Sequence, residues 1–151
     1  MKKIFIYILC VSATIVFLRA QPVETVIQQG HPAAVTAVTF SPDGKTIATG
    51  SKDKTIKLWE ATTGNEIRTL AGHSSQVNDI RFTSDGKLML SADWDHTVKV
   101  WDIYTGKIIT DFKGHEHTVS SVACDAAGNA YSASAERQDE VDRHWHGQLS
   151  F

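Results

Sequence analysis

The chain has 151 residues, 42% of them hydrophobic and 21% charged, which describes a globular protein and excludes a disordered one. Fifteen Lys and Arg against seventeen Asp and Glu leave a net charge of −2, which removes the electrostatic footprint of a nucleic-acid binder. Two cysteines allow neither a disulfide framework nor a cysteine-rich zinc site.

At the N-terminus, Lys2 and Lys3 precede fifteen uncharged residues, Ile4 to Leu18, in which only Ser12 and Thr14 are polar. A basic start and an apolar stretch of this length predict a hydrophobic helix serving as a secretory signal peptide over residues 1–20, cleaved after Ala20. A membrane-crossing helix wants about 18 or more apolar residues, so an uncleaved anchor is the alternative. The expected localisation is therefore exported, periplasmic or secreted. Membrane attachment through this one segment is the alternative. Cleavage would remove Cys10 and leave Cys124, which Ser121-Val122-Ala123-Cys124 places in the buried interior of a strand.

Beyond the leader a period of 42 residues organises the chain. Gly30-His31, Gly72-His73 and Gly114-His115 are spaced by it, as are Asp53 and Asp95, and Trp59 and Trp101. Residues 31–72 slide onto 73–114 without a gap and with 14 identities in 42. Within the first unit, Val35 to Phe40, Thr46 to Ser51, Thr55 to Trp59 and Glu66 to Leu70 are β-branched or apolar runs. Turn chemistry separates them at Pro42-Asp43-Gly44, Lys52-Asp53-Lys54 and Thr62-Thr63-Gly64-Asn65. The second unit repeats the pattern over Val77 to Phe82, Leu88 to Asp93, Thr97 to Trp101 and Ile108 to Phe112. Each unit is predicted to be a four-stranded antiparallel meander in an all-β fold.

Gly-His, Ser-Pro-Asp-Gly and Ser-Lys-Asp-Lys-Thr-Ile-Lys-Leu-Trp-Glu in unit one, with Asp-Trp-Asp-His-Thr-Val-Lys-Val-Trp-Asp in unit two, resemble the WD-repeat family of β-propellers. The resemblance covers residues 23–136. It implies four-stranded blades packed radially, with the repeat offset so that Val23 to Gln28 is an orphan outer strand. It also implies a hydrogen-bonded tetrad in each blade: His31, Thr49, Asp53 and Trp59 in the first, His73, Ser91, Asp95 and Trp101 in the second. Ser, His and Asp together also spell nucleophilic catalysis. A set duplicated in consecutive repeats, with Thr in place of Ser, reads instead as a buried relay in which every donor is satisfied.

The third unit decays. His115, Val119, Val122 and Gly128 keep register; then one deletion brings Ser132 to the hydroxyl place and Glu136 to the Asp place. The closing Trp-Asp strand is missing, and residues 137–151 show no alternation and are expected to be irregular or disordered. The domain organisation is thus 1–20 leader, 21–136 propeller segment of about 2.5 blades and 137–151 tail. Blades bury both faces, so Val38 to Phe40 and Leu88 to Leu90 are expected to be covered. Closed propellers have about 4 to 8 blades. The expectation is a piece of a longer product, with self-assembly of copies into a ring, or marginal folding, as alternatives.

His115-Glu116-His117 and His144-Trp145-His146 lack a third fixed ligand, so no metal site is expected, and no phosphate-binding motif is present. No cofactor and no catalytic residue are expected. For partners, Trp94 and His96 stand in a turn where unit one has Lys52 and Lys54, and by the family resemblance that turn lies on a docking face. The functional reading is a non-catalytic, exported scaffold for protein–protein contact, without nucleic acid. The alternatives are the docking domain at the N-terminus of a larger multidomain enzyme or regulator, and a hydrolase using the Ser/His/Asp sets.

Overall fold

A computed structural model describes residues 30–134 and the strand Trp145–Gln148. The segment 1–20, the strand expected over Val23 to Gln28, and Glu136 lie outside the described residues. Within the described part there are eleven strands and no helix. Strands β1 (Val35–Phe40), β2 (Thr46–Ser51), β3 (Thr55–Glu60) and β4 (Glu66–Ala71) form one antiparallel meander, paired in sequence order. Strands β5 (Val77–Phe82), β6 (Leu88–Asp93), β7 (Thr97–Asp102) and β8 (Ile108–Lys113) form a second.

The third sheet holds β9 (Val119–Cys124), β10 (Asn129–Ser134) and β11 (Trp145–Gln148). Part of the tail expected to be irregular is therefore a strand, antiparallel to β10 with Ser132 opposite Trp145. The sequence hid it because β2 and β6 each reach the next strand through three residues, whereas β10 reaches β11 only across residues 135–144. Register decides the consequence. Thr49 and Ser91 pair with Lys57 and Lys99, two residues before Trp59 and Trp101. The same step from Trp145 arrives at Gly147, so the third sheet has no indole at that place.

Local chemistry accounts for the turns. Gly44 and Gly86 take φ of 69° and 71° in the β1–β2 and β5–β6 turns, a region costly for residues with a Cβ. Lys54 and His96 take φ of 73° at the ends of the β2–β3 and β6–β7 turns, anchored by the carboxylates beside them.

The sheets stack face to face. Val77, Ile80, Phe82, Met89 and Trp101 of the second sheet bury against Ala48, Ile56, Leu58 and Leu70 of the first. Its other face carries Leu90, Ala92 and Val98 onto Val119, Val122 and Ala130 of the third. Hence β6 is buried along its whole length, which two covered faces require. The first strands are also stitched by polar groups at repeat-equivalent positions. Thr36 donates to the Val77 carbonyl, and Asn78 donates to that of Val119 at 2.8 Å. Asp79 accepts from Ser121 Oγ at 2.7 Å and from the Val122 N–H at 3.1 Å. Cys124 is the last residue of β9 and half-buried, not interior as expected. Burial raises its thiol pKa, and Sγ contacts the Phe82 carbonyl at 2.9 Å.

Burial corrects a second expectation. Leu88 to Leu90 are covered, but Val38 and Phe40 are 61% and 60% exposed. They lie on the face of the first sheet that no described sheet meets.

Candidate functional site

The His of each repeat sits in the loop before the first strand, and the hydroxyl sits mid-way along the second. The indole sits near the end of the third strand. Antiparallel pairing brings these to one face because side chains two residues apart share it. In the first sheet the structure brings His31, Thr49, Asp53 and Trp59 together. The Trp59 indole donates to Thr49 Oγ1 at 2.8 Å, which lies 2.8 Å from His31 Nε2. His31 Nδ1 is 2.7 Å from Asp53 Oδ2. The tautomer that satisfies every group has Thr49 donating to Nε2 and Nδ1–H donating to Asp53. Burial raises the Asp53 carboxyl, but hydrogen bonds from Thr55 and His31 outweigh it and the net shift is downward.

The second sheet brings together His73, Ser91 and Trp101 in the same way. Trp101 donates to Ser91 Oγ at 2.7 Å, and Ser91 lies 2.6 Å from His73 Nε2. The acid differs from the expected one. His73 Nδ1 meets Asp93 Oδ2 at 2.5 Å, and Asp95 is not its partner. Asp93 is two residues from Ser91 on the same strand face, so its carboxylate reaches the ring directly. The first sheet has Ser51 at that position, and there the acid must come from the turn. Ser51 instead donates to the Ala34 carbonyl at 3.0 Å and accepts the Asp53 N–H at 3.1 Å.

Displaced from the ring, Asp95 accepts from Ser74 Oγ, from the Ser74 N–H at 3.2 Å and from Thr97 Oγ1 at 2.9 Å. Burial and then the neighbouring Asp93 carboxylate raise its pKa above the ordinary value. Burial raises Asp93 too, but hydrogen bonds from His73 and from the Asp95 carboxyl more than offset it and bring it down to about 2. Two like carboxyls in contact divide the titration in this way. Thr55 and Thr97, which sequence reasoning passed over, secure both acids. Thr55 Oγ1 donates to Asp53 at 2.6 Å. Their signal was present, since they are identical residues at one repeat position.

These relays do not suit nucleophilic attack. Ser91 is fully buried, and its oxygen accepts an indole N–H. Potential ligand atoms of His73, Asp93 and Asp95 lie within 4.8 Å of one another. Both imidazole nitrogens of His73 are already committed, to Asp93 and Ser91, which leaves no lone pair for a metal. In the third sheet, His115 Nε2 is 2.8 Å from Ser132 Oγ.

Above the relays lie the β2–β3 and β6–β7 turns. Trp94 and Lys52 are repeat-equivalent, each held through its backbone N–H, which donates to Gln76 at 3.0 Å and to Ala34 at 2.9 Å. Trp94 is 57% exposed. Lys52, Lys54 and His96 are exposed at the same end, and His96 stands 6.5 Å from His117, ring centre to ring centre. Beside them opens a cleft of about 500 Å³ lined by Asp95, His96, Lys99, Asp111, Lys113 and His115.

The chain is similar to several characterised proteins. It is 55% identical over 40 residues to Protein Mut11 of Chlamydomonas reinhardtii, a match covering 26% of this chain and 11% of that protein. It is 46% identical over 48 residues to the ribosome biogenesis protein BOP1 homolog of Drosophila virilis, covering 32% of this chain and 6% of the relative. Among solved structures, U3-55K and the RRP9 WD40 repeats each superpose with a TM-score of 0.67 at 27% identity, over 70% of this chain and 34% of theirs. The matches thus span about a tenth or less of these curated relatives and a third of the solved chains. They also overturn the expected export. Ribosome biogenesis takes place inside the cell, so the periplasmic, secreted or membrane-anchored localisation read from residues 1–20 is withdrawn. The model of the WD domain, G-beta repeat (WD40), matches residues 21–60 and 64–102, more than half of the chain, and the protein belongs to that family.

Proposed function

We propose that this chain is a non-catalytic scaffold that presents a rigid β surface to a protein partner. The docking element is the turn end bearing Trp94 and His96 on the second blade, with Lys52 and Lys54 on the first. The observation that carries this reading is Trp94 itself, a large aromatic more than half exposed on a turn whose backbone is pinned from both sides. A preorganised aromatic anchor loses little entropy on binding and is the residue type that dominates interface energies. The tetrads, on this reading, hold each blade's strands and loop in one geometry. The propeller segment is residues 21–136 together with β11. The ribosome biogenesis relatives favour a place for the scaffold in an assembly of many proteins.

A photoreactive amino acid introduced at position 94, and in a second variant at position 104 on the opposite end of the blade, tests this in cells. Tyr104 is 90% exposed and serves as the control surface. Protein adducts from position 94 and none from position 104 are expected. Equal adducts from both positions, or adducts to RNA alone, would overturn the docking face. Separately, a serine-reactive fluorophosphonate should leave Ser91 and Thr49 unlabelled, and labelling would restore the hydrolase reading.

A further inference from the structure

The histidines among the described residues divide by use. His31, His73 and His115 stand at the Gly-His place of the repeat and spend ring nitrogens inside their own sheets. His31 meets Asp53 and Thr49, His73 meets Asp93 and Ser91, and His115 Nε2 meets Ser132. His96 and His117 are different. Both are exposed, and neither ring makes a hydrogen bond or an ion pair with any described residue. A neutral imidazole in that condition keeps a lone pair for a metal.

The repeat does not ask for either residue. One period earlier, His96 is Lys54 and His117 is Ser75. Both departures are to histidine, and the fold brings them together from different blades, with ring centres 6.5 Å apart and ring planes at 49°. Along the chain His117 has no fixed companion, which is why no metal site is expected there; stacking of the second and third blades supplies one. Both backbones are held. His96 takes φ of 73° beside Asp95, which accepts from Ser74 and Thr97. His117 follows two residues after His115, tied to Ser132 at 2.8 Å. With Zn–N bonds of about 2.0–2.1 Å, two rings on one ion stand about 5–6 Å apart centre to centre, so a movement of about 1 Å by two exposed side chains closes the gap.

We propose that His96 and His117 together bind a divalent transition-metal ion of the zinc type and so clip the second blade to the third. Imidazole suits Zn²⁺, Cu²⁺ and Ni²⁺, whereas Mg²⁺ and Ca²⁺ want oxygen ligands. Two imidazoles supply half of a tetrahedral shell and water completes it. Glu116, exposed beside His117, adds negative charge that favours a cation. Asp95 is not counted as a ligand, since Ser74 and Thr97 already occupy its carboxylate. An ion held only when the two blades are stacked stabilises that stacking. The site stands or falls apart from the docking of a protein at Trp94.

Calorimetric titration of the full chain with Zn²⁺ tests it. Saturable binding is expected, including one equivalent that His96→Gln and His117→Gln each abolish. The double variant should lose no more than either single one, because both rings hold the same ion. His144→Gln with His146→Gln should leave that equivalent in place. Zn²⁺ should raise the melting temperature of the native chain and leave that of both single variants unchanged. Both positions are exposed, so far-UV circular dichroism should not change. Should a variant misfold, the imidazole proton resonances of the native chain decide, since those of His96 and His117 should shift together with added Zn²⁺. No binding, binding indifferent to either substitution, or separate losses that add in the double variant would each overturn the proposal.

Discussion

Asp93 and Asp95 differ by two positions and by opposite protonation behaviour. Asp93 is buried, bonded to His73 and lowered to about 2, below its unfolded value of 3.8. Its contribution is therefore present above about pH 4 and is lost as pH falls from the unfolded to the folded value. Asp95 is raised above 3.8, so its ionised form weakens the fold at neutral pH, and that penalty fades as acid protonates it. Asp93→Ala should cost about 3 kcal/mol in urea unfolding, as expected when a buried partner loses its counterpart. Asp95→Asn keeps an acceptor for Ser74 and Thr97 and should match or exceed the native stability at pH 7. That advantage should shrink toward pH 4. A larger loss from Asp95→Asn than from Asp93→Ala would mean that the relay runs through the turn. Trp59→Phe removes the donor to Thr49 and should cost about 1–3 kcal/mol by the same assay.

At the scale of the strand, identical sequence positions acquire different energetic weight from their neighbours. Ile80 and Val38 are one repeat apart; Ile80 is buried between blades and Val38 faces outward. Ile80→Ala should cost about 2–5 kcal/mol, whereas Val38→Ala should fall within about 0.5 kcal/mol. Gly50→Ala adds a methyl group into Val77 and should cost about 1–3 kcal/mol, although Ala is the natural residue at the same place in the second blade. Thermal melts of the three variants under one buffer condition check the ordering. Strand positions and turns were legible in the sequence because Pro42-Asp43-Gly44 and its like punctuate β-branched runs of even length. Strand β11 was not legible, since its pairing with β10 spans residues 135–144 and no periodic signal survives that insertion.

For the molecule as a whole, the middle blade is the one described blade with both faces covered. Stacked repeats draw stability from interfaces between neighbours more than from the single unit. A chain ended after Gly114 would bare Leu90, Ala92 and Val98, which the third blade keeps dry. It should melt at a lower temperature, lose cooperativity and bind an apolar dye. The resemblance to the WD-repeat family was readable from the Gly-His, Ser-Pro-Asp-Gly and Lys-Leu-Trp-Glu motifs together with the 42-residue period. The localisation was misread because fifteen apolar residues after two lysines have the composition of a leader, and composition does not report destination.

The sequence by itself determined the repeat, the strands and turns of the first two blades, all four relay members in the first blade and three of the four in the second. These rest on local preference and on spacing along one chain. Tertiary structure alone decided that Asp93 rather than Asp95 meets His73, that β11 completes the third sheet, and that Val38 and Phe40 are open while Ile80 and Phe82 are closed. Each of those depends on which surfaces meet across tens of residues, and a pattern read along the backbone carries no distance between faces.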